Sequence, residues 1–126
     1  MKLSKFYFFI FFFVLFNSKS FSSTITYEEI LNNPTDLELN LNYAKQQEIS
    51  GNIKSTIATL ERLSKLYPKN SDIKLYLLSI LLRMDSKIKV DFMVKTMLED
   101  PNTNKETKKL IAKLLSDSQF QKTKQN

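Results

Sequence analysis

The chain has 126 residues, a formal net charge of +6, one glycine, and neither histidine nor cysteine. That length allows one domain at most. Without histidine the commonest general base and metal ligand are missing, and a single glycine excludes a Gly-rich phosphate loop. The composition points away from an enzyme and calls for no cofactor and no metal.

The opening MKLSKFYFFIFFFVLFNSKSFSS has Lys2 and Lys5, an uncharged apolar run from Phe6 to Phe16, and then small polar residues. This is the layout of a secretory signal peptide over 1–22. Small residues at −3 and −1 allow cleavage after Ser20 or after Ser22. The rival reading is an uncleaved anchor, but the run is too short for a helix of about 20 residues that crosses a bilayer. Without Lys2, Lys5 and Lys19 the mature chain keeps 16 basic and 13 acidic residues, a net +3. Residues 105–126 hold six lysines against Glu106 and Asp117, so the basic character belongs to the C-terminal end. An exported chain without cysteine has no disulfide and is held by packing alone. The missing cysteine also excludes a lipid-anchored mature N-terminus.

Residues 23–34 predict a short helix with a Thr26–Glu29 capping box, ended before Pro34. A second helix opens with another box, Thr35–Glu38, and places Leu37, Leu41, Ala44 and Glu48 on one face with Tyr43 beside them. Gly51 suits the left-handed residue that commonly ends a helix, and Asn52 can cap the next one. There Ile53, Ile57, Leu60, Leu63 and Leu66 recur at spacings of three and four, as a buried face does. Pro68 closes that helix.

From about Ser71 to Met84 the apolar residues Leu75, Leu77, Leu78, Ile80, Leu81 and Leu82 leave almost no polar face, which predicts a helix buried on most sides. Lys87 to Asp100 follows, with Val90, Met93 or Val94, Met97 and Leu98 as its apolar set, and stops at Pro101. A capping helix over 105–116 has Leu110, Ile111, Leu114 and Leu115 on one side and lysines elsewhere. Residues 117–126 read as a flexible polar tail.

Pro34, Pro68 and Pro101 fall 34 and 33 residues apart, and a shift of 34 carries Leu41 to Leu75, Leu60 to Val94 and Leu63 to Met97. A helix–turn–helix period of 34 is that of the tetratricopeptide repeat. The unit 35–70 resembles that family at Ala44 (the small residue of the first helix), Gly51 (the turn), Thr56, Leu60, Leu63 and the terminal Pro68. Asn40 and Gln47 stand where the family prefers tryptophan and tyrosine. In the unit 71–104, Leu78 and Asp85 replace the small residue and the turn glycine, and the proline arrives one residue early. The alternative is a generic helical bundle with the same core.

The resemblance implies an all-α fold: antiparallel helix–turn–helix repeats in a short solenoid with a C-terminal capping helix. It also implies a concave face lined by the first helices of the units, here Leu41, Lys45, Glu48, Leu75, Ser79 and Leu82. Family members that clamp a C-terminal carboxylate place basic and Asn side chains at such positions. Leu41 and Leu75 stand there instead, so that specificity does not carry over, and both leucines read equally as core. The lysine-rich end lacks stacking aromatics, which argues against nucleic acid, and the membrane enters only through the transient signal peptide. The adjacent acids Glu28-Glu29 and Glu99-Asp100 point apart on a helix and make no acid–base pair. The expectation is an exported, most plainly periplasmic, interaction module that binds a segment of an envelope protein. Its alternative is a structural subunit of an envelope complex or a protein that self-associates as a homo-oligomer.

Overall fold

The computed structural model describes residues 23–124. The signal-peptide reading of 1–22, with its cleavage after Ser20 or Ser22, lies outside the described residues. Six helices follow one another: α1 (Tyr27–Asn32), α2 (Leu37–Ile49), α3 (Ile53–Leu66), α4 (Ser71–Arg83), α5 (Lys87–Glu99) and α6 (Lys105–Lys124). Among the described residues there is no strand. Each helix packs antiparallel on its neighbour from α1 to α5, while α6 packs back onto α4.

The helices keep a strict register. Leu37, Ser71 and Lys105 open α2, α4 and α6 at intervals of 34, and Ile53 and Lys87 open α3 and α5 at the same interval. The early proline of the second unit does not break this, because the link from Pro101 to Asn104 is one residue longer and absorbs it. The caps are in register too. Asp36 Oδ1 accepts from Leu39 N (2.9 Å), Asn70 Oδ1 from Asp72 N (3.0 Å), and Asn104 Oδ1 from Thr107 N (2.8 Å). Each satisfies a backbone donor that the helix itself leaves open.

The two tight turns match bond for bond. Around Gly51 the amides of Ser50, Gly51, Asn52 and Ile53 donate to the carbonyls of Gln46, Glu48, Gln47 and Gly51. Around Asp85 those of Met84, Asp85, Ser86 and Lys87 donate to Ile80, Leu82, Leu81 and Asp85. Gly51 has φ +79° and Asp85 φ +53°, both left-handed. Glycine takes that conformation freely, and aspartate is among the few other residues that visit it routinely. Asn52 makes no capping bond; its amide donates to Gln47 Oε1 at 2.9 Å.

The Thr26–Glu29 box is formed, with Thr26 N donating to Glu29 Oε2 at 2.6 Å and Glu29 N to Thr26 Oγ1 at 3.2 Å. The expected Thr35–Glu38 box is corrected, since Asp36 caps α2. The reason lies in the link before it, where side chains capture every carbonyl from Asn33 to Asp36. Asn40 Nδ2 donates to those of Asn33 (2.9 Å) and Asp36 (2.6 Å), Arg62 Nη1 to Pro34 (2.6 Å), and the Tyr67 hydroxyl to Thr35. Arg62 also donates to Asn40 Oδ1, so the fully buried Asn40 amide is satisfied on both ends.

α4 buries Ile73, Leu77, Leu78, Ile80 and Leu81, as its all-round apolar pattern predicts. α2 is rotated from the expected face. Asn40, Tyr43 and Ala44 are buried, while Leu37 and Leu41 are half-buried. In α3 the deep residues are Thr56, Thr59, Leu60 and Leu63, and Leu66 is 46% exposed. Thr56 and Ala44 are both at zero exposure, where small side chains let α2 and α3 approach closely. The Thr56 hydroxyl lies within bonding distance of the Ala44 (3.3 Å) and Asn52 (3.2 Å) carbonyls. α6 does not end at Ser116; it continues helical to Lys124, where the sequence reading placed a flexible tail. On its extension Lys122 makes an exposed ion pair with Asp85 in the α4–α5 turn.

This rotation makes a testable contrast between two leucines of α3. Leu63→Ala, which leaves a cavity at a fully buried site, should cost about 2–5 kcal/mol in urea unfolding. Leu66→Ala, at the exposed end of the same predicted stripe, should cost about 1 kcal/mol or less.

Candidate interaction site

The sequence-predicted contact residues divide between α2 (Leu41, Lys45, Glu48) and α4 (Leu75, Ser79, Leu82) at matching positions of the register. Lys45 is exposed, and Leu41, Leu75 and Leu82 are half-buried against the core, each keeping an edge in solvent. The Ser79 hydroxyl donates to the Tyr76 carbonyl at 2.7 Å. Of the unit-defining residues, Ala44, Thr56, Leu60 and Leu63 are buried, while Gly51 and Pro68 sit in exposed turns.

Glu48 is engaged within the chain. Its carboxylate accepts from the Tyr76 hydroxyl and from Arg83, both on α4. The Tyr76 hydrogen bond, with help from Arg83, holds the Glu48 carboxyl below its ordinary range against the opposing effect of burial. Burial first, and then the bond to Glu48, pushes the Tyr76 phenol up. Of these positions Lys45 and the edges of three leucines stay accessible, while the Glu48 charge is already matched. Tyr76 and Arg83 escape sequence reading because nothing in a linear pattern marks a residue 28 or 35 positions away as a partner.

A second recess lies on the opposite side of the hairpin stack. α3 and α5 flank a groove of about 430 Å³, with α4 and the buried Met97 of α5 at its floor. Leu77, Leu81 and Met97 line its floor, Met93 its wall, and Phe92 stands at the rim with 73% exposure. Lys65, Lys74, Lys89 and Glu61 supply the charge around it. One turn before Phe92, Ile88 is 87% exposed. The signal for this surface was present in the sequence. A shift of 34 sets Ile88 on Lys54 and Phe92 on Ala58, so large apolar side chains replace a charged and a small one on an outer face.

A cleft of about 770 Å³ lies between residues 66–72 and the start of α6, with Leu66, Tyr67, Pro68 and Leu110 supplying apolar surface beside Asn70, Asp72, Asn104 and Glu106. Among the described residues no cluster of acids has metal-ligating geometry, and no helix is long and apolar enough to cross a membrane. No protein-family model matches the chain, and neither does any curated protein or solved structure.

The Glu48 cluster has a pH signature. A carboxyl whose folded pKa lies below the ordinary 4.5 contributes stability that is present above that value and lost as pH falls through the folded pKa. Glu48→Gln should therefore be less stable than the parent at pH 7, with the gap closing below about pH 4.5 in urea titrations. Tyr76→Phe should cost about 1.5–3 kcal/mol at neutral pH, the usual net worth of a hydrogen bond to a charged group.

Proposed function

We propose that the chain is an exported, non-enzymatic interaction module of the tetratricopeptide kind that holds a segment of an envelope protein. The observation that carries this is the register of 34, in which helix starts, caps and both turns recur together. The bonds from Glu48 on α2 to Tyr76 and Arg83 on α4 link the two first helices, and Lys45 with the solvent-exposed edges of Leu41, Leu75 and Leu82 would form the binding face across them. Apolar edges beside a point charge suit a peptide segment that brings aliphatic side chains and a carboxylate. The composition supports the non-enzymatic part, and the apolar leader supports export to the periplasm.

The test uses the mature chain, residues 23–126, as bait against a detergent-solubilised envelope extract. Lys45→Glu serves as a control that spares the fold, and Lys45→Glu with Leu75→Glu as the stronger one, both checked by circular dichroism. The parent should capture a client that the folded Lys45→Glu variant captures several-fold less well. The same set of proteins on all baits, or none, would remove the α2–α4 face as the binding surface.

A further inference from the structure

We infer that the groove between α3 and α5 receives an acidic amphipathic helix of a partner protein. The inference rests on the reading of the chain as an interaction module but concerns a different face from the α2–α4 surface. Its walls run from Lys89 to Met97 on α5, which at 1.5 Å per residue is about 12 Å, or roughly two helical turns. A volume of about 430 Å³ over a floor of Leu77, Leu81 and Met97 accommodates a few large aliphatic side chains. Two turns present apolar residues at i, i+3 or i+4, and i+7 on one side of an incoming helix, which fits this length. The mobile thioethers of Met93 and Met97 let the lining adjust to the shape of such side chains.

Charge selects among occupants. The lining carries three lysines to one glutamate. Lys74 is partly matched by Asp100 at 3.9 Å and Lys89 by Glu61 at 3.2 Å, while Lys65 is exposed and makes no ion pair with a described residue. An arriving helix with acids beside its apolar stripe would complete these lysines as it covers Phe92. A second copy of this chain is a poorer match. Its own exposed apolar stripe, Ile88 and Phe92, carries Lys87, Lys89 and Lys95 with only Asp91 and Glu99 of the same helix beside them, so self-docking brings no surplus of acid to the lysines of the groove.

The test is fluorescence anisotropy with the mature chain and two labelled 18-residue helical peptides. Both carry leucines at i, i+3, i+4 and i+7; one has glutamates beside the stripe, the other lysines. The glutamate peptide should bind at least about ten-fold more tightly than the lysine peptide, and more weakly as salt rises from 0.05 to 0.5 M. Lys65→Glu, an exposed change that leaves the core intact, should weaken it several-fold. Met93→Glu should abolish binding, and Lys45→Glu on the other face should leave it unchanged. Equal binding of the two peptides, no binding of either, or loss through Lys45→Glu would overturn the groove assignment. So would sedimentation showing a dimer that Phe92→Ser dissociates. Failure here leaves the client capture by the α2–α4 face standing, and the Lys45→Glu and Lys65→Glu variants separate the two.

Discussion

The structure depends on burying α4. Five of its side chains are out of solvent, and they face α3 on one side and α5 and α6 on others. At about 25 cal/mol per Å² of apolar surface, a helix with so many large aliphatic residues supplies a dominant share of the driving force in a chain of this size. It also dictates the arrangement of everything else. A helix apolar nearly all round cannot lie on a surface, so neighbours must close on it from several directions. With no disulfide available, the closure of those neighbours on α4 is what holds the chain together.

Packing alone leaves the relative rotation of the helices loosely specified, and polar contacts narrow it. Glu48 joins the end of α2 to Tyr76 and Arg83 of α4. Lys89 reaches Glu61 from α5 to α3, and Lys122 reaches Asp85 from α6 to the α4–α5 turn. The first contact is partly shielded and accepts two donors, so it outweighs the other two, which are solvent-exposed ion pairs of small individual worth. The distribution of lysines follows the same logic. Those of α5 are matched by acids on their own helix or on α3, whereas Lys105, Lys108, Lys109 and Lys113 of α6 form no ion pair with a described residue. The net positive charge of residues 23–126 is thus concentrated on the last helix.

The all-α class, the boundaries of α2 to α5 to within about two residues, the Thr26–Glu29 box and the left-handed Gly51 were legible from local pattern, because each is decided within a few residues. What was not legible was set by distant partners. The face of α2 turned away from Leu37 and Leu41 because Asn40, a polar residue that pattern reading assigns to solvent, is drawn inside by Arg62 and the carbonyls of the link at 33–36. The stripe of α3 shifted toward Thr56 for a related reason, since a threonine can be buried when its hydroxyl finds a carbonyl across the helix crossing. The continuation of α6 past Ser116 was missed because its sequence there is polar, and the tie from Lys122 to Asp85 lies outside any local window. At the candidate site, the matching of Leu41 to Leu75 and of Glu48 to Leu82 in the register was readable from the period. The prior engagement of Glu48 was not.

The buried polar residues make the register hard to slip. Asn40, Thr56, Thr59 and Thr107 are all buried, yet no buried side-chain nitrogen or oxygen among the described residues lacks a partner. Asn40 is the sharpest case, since its amide serves two carbonyls of the α1–α2 link and its oxygen takes Arg62 from α3. A displacement of α3 by one residue along α2 would move Arg62 away and leave that oxygen buried without a donor, at a cost of about 1–3 kcal/mol. The same slip would take Tyr67 from the Thr35 carbonyl and Thr56 from Ala44. Aliphatic contacts tolerate such a shift far better, since one leucine edge can replace another. Hydrophobic burial therefore makes this chain compact, and the few paired polar groups inside choose which of several similar packings it adopts. Position 40 is filled by a pinned asparagine, which exchanges apolar area for that choice of register.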